Sequence, residues 1–214
     1  VSRAEDVSAT APDGPGRPRL VVIGPPGVGK STVAREVARR LDLALHDSDT
    51  IVEERAGRSI GDIFLEDGEA AFRELEQDAV RAALTTTGSV VALGGGAPMT
   101  AAVAEALQGH DVLFLDVGIA DAAKRIGLNR SRPLLAVNPR ATWVATMEER
   151  RPTYERLARW QVDTAGRGVD EVVAEVLAVL GEDGTQPHGE PGGSRPDVPD
   201  ADRPDAPGDQ DGSR

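Results

Sequence analysis

Apolar residues along the chain fall into short unbroken runs, separated by longer stretches in which they recur every three or four positions. Leu20-Val21-Val22-Ile23 is continuous, as expected of a strand buried on both faces. Residues 31–41 read as a helix, and Leu43-Ala44-Leu45-His46 as a weaker strand. A long helix is predicted over residues 68–84, with Ala71, Leu75, Ala79, Ala82 and Ala83 near one face. Val90-Val91-Ala92-Leu93 and Val112-Leu113-Phe114-Leu115 read as further strands, with helices over residues 100–107 and 120–126. Residues 127–139, rich in Arg, Asn and Pro, read as a loop. Helices follow over 140–150 and 153–158, broken near Pro152 because proline lacks the helical N–H. Trp160-Gln161-Val162-Asp163 is a fifth strand, and a helix over 169–180 closes the pattern. Strands alternating with helices predict an α/β fold, a parallel sheet covered on both faces. Ligands of such sheets sit beyond the carboxyl ends of the strands.

Composition marks the edges of this pattern. Residues 181–214 carry nine acidic side chains against three arginines and no apolar side chain larger than valine. That composition cannot bury enough apolar surface to offset its ordering entropy, so a disordered, solvated tail is expected. Residues 1–18, with four prolines and glycines between Pro12 and Gly16 and a further proline at Pro18, are expected to be flexible as well. The folded unit is then residues 19–180. The net charge of −12 argues against a nucleic-acid or anionic-membrane partner. No run approaches the roughly 20 apolar residues that span a bilayer. The absence of cysteine excludes disulfides, thiolate metal sites and a cysteine nucleophile. No apolar segment resembling a secretory signal opens the sequence, and a cytoplasmic monomer is the expectation.

One motif is specific. Gly24-Pro25-Pro26-Gly27-Val28-Gly29-Lys30-Ser31-Thr32 matches G-x-x-x-x-G-K-[ST], and it lies between a buried strand and a helix. Gly27 and Gly29 let the backbone wrap a phosphate, and the following helix adds the positive end of its dipole. Lys30 supplies a cation to the β- and γ-phosphates, and Ser31 a hydroxyl to Mg²⁺. Only Lys30 and Lys124 are lysines, so a lysine at this position is not incidental. No N-K-x-D reader of guanine exists around either lysine. The domain is too small for a motor or a transporter ATPase.

Other residues suggest an acceptor site. Asp47-Ser48-Asp49 follows the second strand. On an extended segment its two carboxylates would point the same way, one toward Mg²⁺ and one toward a substrate hydroxyl. Ser48 or Asp49 could equally cap a helix over residues 50–56. Gly94-Gly95-Gly96 after the third strand allows close approach of a substrate to the backbone. Arg73, Arg132 and Arg150 are each weak evidence singly, since a helix arginine is usually a surface ion-pair partner.

Together these segments resemble the shikimate kinase family, over about residues 19–180. The resemblance rests on the phosphate loop, Asp47-Ser48-Asp49, Gly57-Arg58-Ser59-Ile60 with Ile63-Phe64, Gly68-Glu69 with Phe72-Arg73 and Glu76, Gly94-Gly95-Gly96, Arg132-Pro133-Leu134-Leu135, and Arg150 with Pro152 and Tyr154. It implies a P-loop kinase fold with five parallel strands in the order 2-3-1-4-5 and a lid over about residues 127–139. It implies a transferase that phosphorylates the 3-hydroxyl of shikimate with ATP and Mg²⁺, in aromatic amino-acid biosynthesis. By the same resemblance, Gly27, Val28, Gly29, Lys30, Ser31, Thr32, Arg125, Arg132 and Arg167 bind ATP. Asp49, Arg73, Gly94, Gly95, Gly96 and Arg150 bind shikimate. Lys30, Asp49 and Arg132 are catalytic, and Ser31 and Asp47 are the metal contacts. Glu76 braces one of the substrate arginines. Arg151 is the alternative to Arg150, because one residue is missing between Arg132 and this point. The proline that some relatives place against adenine is replaced near Val169. Competing readings are a gluconate-kinase-like enzyme of similar architecture, a catalytically silent nucleotide-binding protein, and an interaction module centred on the acidic tail.

Overall fold

The computed structural model describes residues 16–125 and 139–181, without the side chains of Lys124, Arg125 and Pro139. Five strands, β1 (Leu20–Ile23), β2 (Ala44–Asp47), β3 (Ser89–Ala92), β4 (Val112–Asp116) and β5 (Trp160–Asp163), form one sheet in the order β2-β3-β1-β4-β5. Every pairing is parallel. This is the topology the family resemblance implied.

The helices are α1 (Lys30–Arg40), α2 (Ser48–Ala56), α3 (Ile60–Glu66), α4 (Gly68–Leu84), α5 (Ala101–Ala106), α6 (Ile119–Arg125), α7 (Pro139–Leu157) and α8 (Val169–Val179). Strand alternation divides the core. Leu20 and Val22 face one apolar layer with Val33 and Val37 of α1 and Val173 and Val176 of α8. Val21 and Ile23 face the other, with Val80 of α4, Val103 of α5 and Met147 and Tyr154 of α7. The three central strands are therefore buried on both sides, while β2 and β5 at the edges are only partly covered.

Register places the chemistry. Val22 pairs with Ala92 and Asp47 pairs with the same Ala92, so the loop after β1, the end of β2 and the turn after β3 emerge side by side. The carboxyl edge of the sheet thus gathers three of the four motifs, as the parallel arrangement dictates.

Four expectations are corrected. Helix α7 runs through Pro152 without a break. Proline removes only the bond from its own nitrogen to Glu148, and Pro152 is exposed, so that carbonyl can face water. Met147 and Tyr154, on either side of it, are anchored in one apolar cluster. On α4 the buried residues are Phe72, Glu76, Ala79, Val80, Ala83 and Leu84, whereas Ala82 is exposed. The apolar pattern pointed slightly astray because the face includes a buried carboxylate. Helix α3, capped by the Ser59 hydroxyl accepting from the Asp62 N–H at 3.1 Å, was not anticipated. Finally, Asp47 and Asp49 do not share an extended segment, because Asp49 lies in the first turn of α2.

Residues 1–15, 126–138 and 182–214 lie outside the described residues. They include Arg132, almost all of the expected lid and the acidic tail. Among the described residues, no helix is long and apolar enough to cross a membrane.

Candidate active site

The loop between β1 and α1 turns on three glycines at positive φ, Gly24 at 146°, Gly27 at 82° and Gly29 at 97°. Gly29 is the N-cap of α1, with no side-chain cap and no acidic residue in the first turn. The first-turn N–H groups are thereby left for an anion, which the helix dipole also favours. Val28, 1 % exposed, pins the loop to the core. Lys30 Nζ donates to the Pro25 carbonyl at 3.1 Å. The indole N–H of Trp143 on α7 donates to the Pro26 carbonyl at 3.3 Å. A cleft of 540 Å³ opens over the loop, bounded by Lys30, Thr32, Thr164, Arg167 and Val169 among others. Arg167 is itself tied to Glu175 at 2.5 Å and donates to the Asp163 carbonyl at 2.9 Å.

Burial lowers the Lys30 pKa to about 8, against the opposing pull of Asp49 and Asp47 and with the help of Arg150. The neutral amine therefore prevails above that pH in the nucleotide-free protein. Phosphates favour the ammonium form, so nucleotide binding raises this pKa again. The expected result is that ATP binding at pH 9 takes up close to one proton and is weaker than at pH 7. Calorimetry in two buffers of different ionisation enthalpy reads the proton count directly.

Asp47 occupies a junction. It ends β2 and caps α2, its Oδ1 accepting from the Asp49 N–H at 3.1 Å. Its Oδ2 accepts from the Ser31 hydroxyl at 2.6 Å. A hydroxyl and a carboxylate in contact at the mouth of a phosphate loop suit Mg²⁺, a hard ion that keeps waters and takes few protein ligands beside substrate phosphates. Among the described residues no cluster of three or more His, Asp or Glu forms a protein-only metal cage. Asp49 points elsewhere. Burial raises its pKa, and the neighbouring Asp47 charge adds to the rise, while Lys30 and Arg73 oppose it.

The turn Gly94-Gly95-Gly96 is where the arms of the site meet. A Cβ on Gly94 would collide with Asp49 Oδ1 and lie 2.9 Å from Glu76 Oε1. On Gly95 it would meet Pro26 of the phosphate loop at 3.1 Å. On Gly96 it would lie 2.7 Å from Arg73 Nη1. A side chain at any of the three positions would therefore crowd a neighbouring group of the site, whereas a simple turn needs only one glycine. Glu76 is 1 % exposed and accepts from Arg73 at 2.6 Å, and burial pushes its carboxyl pKa up. Glu69 holds the same guanidinium at 3.1 Å.

Arg150 and Arg151 separate cleanly. Arg151 forks onto Asp116 with two contacts of 2.7 Å. Arg150 turns instead toward the glycine turn, 3.4 Å from the Gly95 carbonyl. Asp116, at the end of β4, is occupied by that fork and by the Val117 N–H at 2.8 Å.

Lys30, Ser31, Asp47, Asp49, Arg73, Gly94, Gly95, Gly96 and Arg150 therefore converge. Gly27, Val28 and Gly29 belong to the loop itself, Thr32 to the first turn of α1, and Arg167 lines the cleft beside it. Arg132 and the Arg125 side chain lie outside the described residues. Sequence reading passed over two buried groups. The Ser48 hydroxyl accepts from the Gly94 N–H at 2.8 Å, and the Tyr154 hydroxyl donates to the Gly95 carbonyl at 2.6 Å. The sequence alone offers Ser48 only as a candidate cap and Tyr154 only as one of the residues that carry the resemblance. A polar side chain at a position the strand–helix pattern buries is the signal that marks both.

A five-stranded parallel sheet of this order, with a phosphate loop at its carboxyl edge beside an acidic and basic pocket, defines a P-loop kinase. The shikimate kinase family model matches residues 26–181. The shikimate kinase of Rhodococcus jostii is 45 % identical over 77 % of this chain and 99 % of its own length. That of Streptomyces avermitilis is 49 % identical over 76 % of this chain and 95 % of its own. The solved structure of shikimate kinase from Acinetobacter baumannii in complex with shikimate superposes with a TM-score of 0.72, at 28 % identity, covering 79 % of this chain and 96 % of that one. The chain belongs to the shikimate kinase family.

Proposed function

We propose that this chain transfers the γ-phosphoryl group of ATP to the 3-hydroxyl of shikimate, giving ADP and shikimate 3-phosphate. One observation carries the assignment of the pocket. Three consecutive glycines are approached by two carboxylates, Asp49 and Glu76, by the phosphate loop and by two arginines. That layout suits a small acceptor bearing hydroxyls at one end and a carboxylate at the other. Family membership sets aside the gluconate-kinase-like alternative.

In this reading the phosphate loop and Lys30 hold the triphosphate. Asp49 orients the 3-hydroxyl and accepts its proton as the new P–O bond forms and the bond to the β-phosphate oxygen breaks. A carboxyl whose pKa is raised by burial is better matched to that task near neutral pH than an exposed one. Ser31 and Asp47 hold Mg²⁺, which when bound neutralises charge on the β- and γ-oxygens. Arg73 and Arg150 take the acceptor's carboxylate, for which guanidinium forks are suited. Arg125 and Arg167 serve the nucleotide, and Arg132 reaches the transferring phosphate. The protein's contribution is positioning and charge rather than covalent chemistry. We further propose that the enzyme acts as a cytoplasmic monomer, through residues 19–180, with residues 181–214 dispensable for turnover.

The test is ADP release with Mg²⁺ and ATP, in the presence of shikimate, quinate or gluconate. Strong stimulation by shikimate alone is expected. Equal rates with and without shikimate would overturn the proposal.

Arg73→Ala is expected to raise the KM for shikimate about ten- to a hundredfold with a smaller change in kcat, the size of a lost charge-assisted hydrogen bond. It also strands buried Glu76, so the protein should melt earlier. Arg73→Ala/Glu76→Gln should recover the melting temperature but not the KM. Equal losses in kcat and kcat/KM for the single variant would contradict a role in ground-state carboxylate binding.

A further inference from the structure

The Gly95 carbonyl has two donors, and they are unequal. Tyr154 Oη lies 2.6 Å away and Arg150 Nη1 lies 3.4 Å away. Both side chains come from α7, one turn apart, so they reach the same point. Tyr154 has no freedom to leave. It is 0 % exposed, and its ring stacks on Phe114 at 5.1 Å between centroids. The neighbouring Arg151 is committed to Asp116. Among the described residues no carboxylate forms an ion pair with Arg150, whose hydrogen-bond partners are the Gly95 carbonyl and the Tyr154 hydroxyl.

We propose that Tyr154 is a positioning residue for acceptor binding: by holding the Gly95 carbonyl itself, it keeps that carbonyl from capturing the Arg150 guanidinium. The carbonyl lies in the partly buried glycine turn and needs a donor, because a partly buried acceptor left unpaired is costly. With the phenol in place that need is met at short range, and the arginine only grazes the oxygen. Beyond its contacts with Gly95 and Tyr154, no carboxylate among the described residues pairs with its remaining N–H groups, which are left for the acceptor's carboxylate. Without the phenol, Arg150 is the nearest donor and is drawn onto the backbone. A residue that never touches the substrate thereby sets the affinity for it.

This inference rests on Arg150 binding the carboxylate of shikimate. The experiment is a double-mutant cycle of Tyr154→Phe and Arg150→Ala, read as kcat, KM for shikimate, KM for ATP and melting temperature. Phenylalanine keeps the stacked ring and removes only the hydroxyl. Tyr154→Phe is expected to raise the KM for shikimate about tenfold, the effect of one strong hydrogen bond, with kcat and the KM for ATP changed less than about twofold. In the Arg150→Ala background it should add nothing. An unchanged KM in Tyr154→Phe, a matching fall in kcat, or an additive effect in the Arg150→Ala background would each overturn the proposal. An Arg150→Ala variant that binds shikimate normally would instead defeat the carboxylate assignment, and the role of Tyr154 with it.

Discussion

Asp49→Asn is expected to lower kcat by about 10²- to 10⁴-fold, the range by which general-base catalysis contributes. The substitution keeps the shape of the side chain and its ability to hydrogen-bond a hydroxyl. It removes only the capacity to accept the proton, so KM for shikimate should change much less than kcat. Asp49 is half-buried against Gly94, and both burial and the Asp47 charge hold its proton more tightly than an exposed aspartate would. The wild-type kcat should therefore decline on the acid side at a higher pH than an exposed aspartate would give. That limb should vanish in Asp49→Asn, because the amide does not titrate. A fall in kcat of less than tenfold, with the acid limb intact, would reduce Asp49 to an orienting role and assign the limb to another group.

The parts of this molecule that were legible in the sequence are those whose signal is local. Strand β1 could be read because both its faces are buried, which leaves an unbroken apolar run. The phosphate loop could be read because its glycines and lysine work within nine consecutive residues. Strand β2 was fainter because an edge strand is covered on one side only. Helix α7 was misread as two because Pro152 is a strong local breaker, whereas packing of Met147 and Tyr154 on either side outweighs one lost hydrogen bond. The buried face of α4 was misplaced because Glu76 belongs to it, and a hydrophobic pattern has no place for a carboxylate.

The pocket itself was legible only as a set of parts. That Arg150 rather than Arg151 faces the glycine turn depends on Asp116, 35 positions away, holding the other. That Asp47 caps α2 while also meeting Ser31 depends on β2 lying two strands from β1 across β3. The physical cause of neither relation shows in the spacing of residues. Both follow once the strand order is known, because the order sets which loops share the carboxyl edge.

Lys30→Met should abolish most activity, by about 10³-fold or more in kcat, because one preorganised donor at a developing charge contributes about 10²–10³ and the lysine does more than donate. Its second effect runs through Asp49. The ammonium opposes the burial and the Asp47 charge that raise the Asp49 pKa, so its removal lets that pKa climb further and leaves less of the base ionised at neutral pH. The two substitutions therefore touch one unit, and Lys30→Met/Asp49→Asn should lose far less than the product of the single losses. Stability should move the other way. A lysine whose pKa burial lowers to about 8 is a cation held at a cost, so methionine, similar in length and uncharged, should leave the melting temperature equal or higher. An inactive protein that melts no earlier than wild type would show that the burial cost of this cation, which Asp49 and Asp47 only partly offset, is kept for the phosphates. A variant that keeps a tenth of wild-type kcat, or one that loses the fold with the activity, would contradict this account.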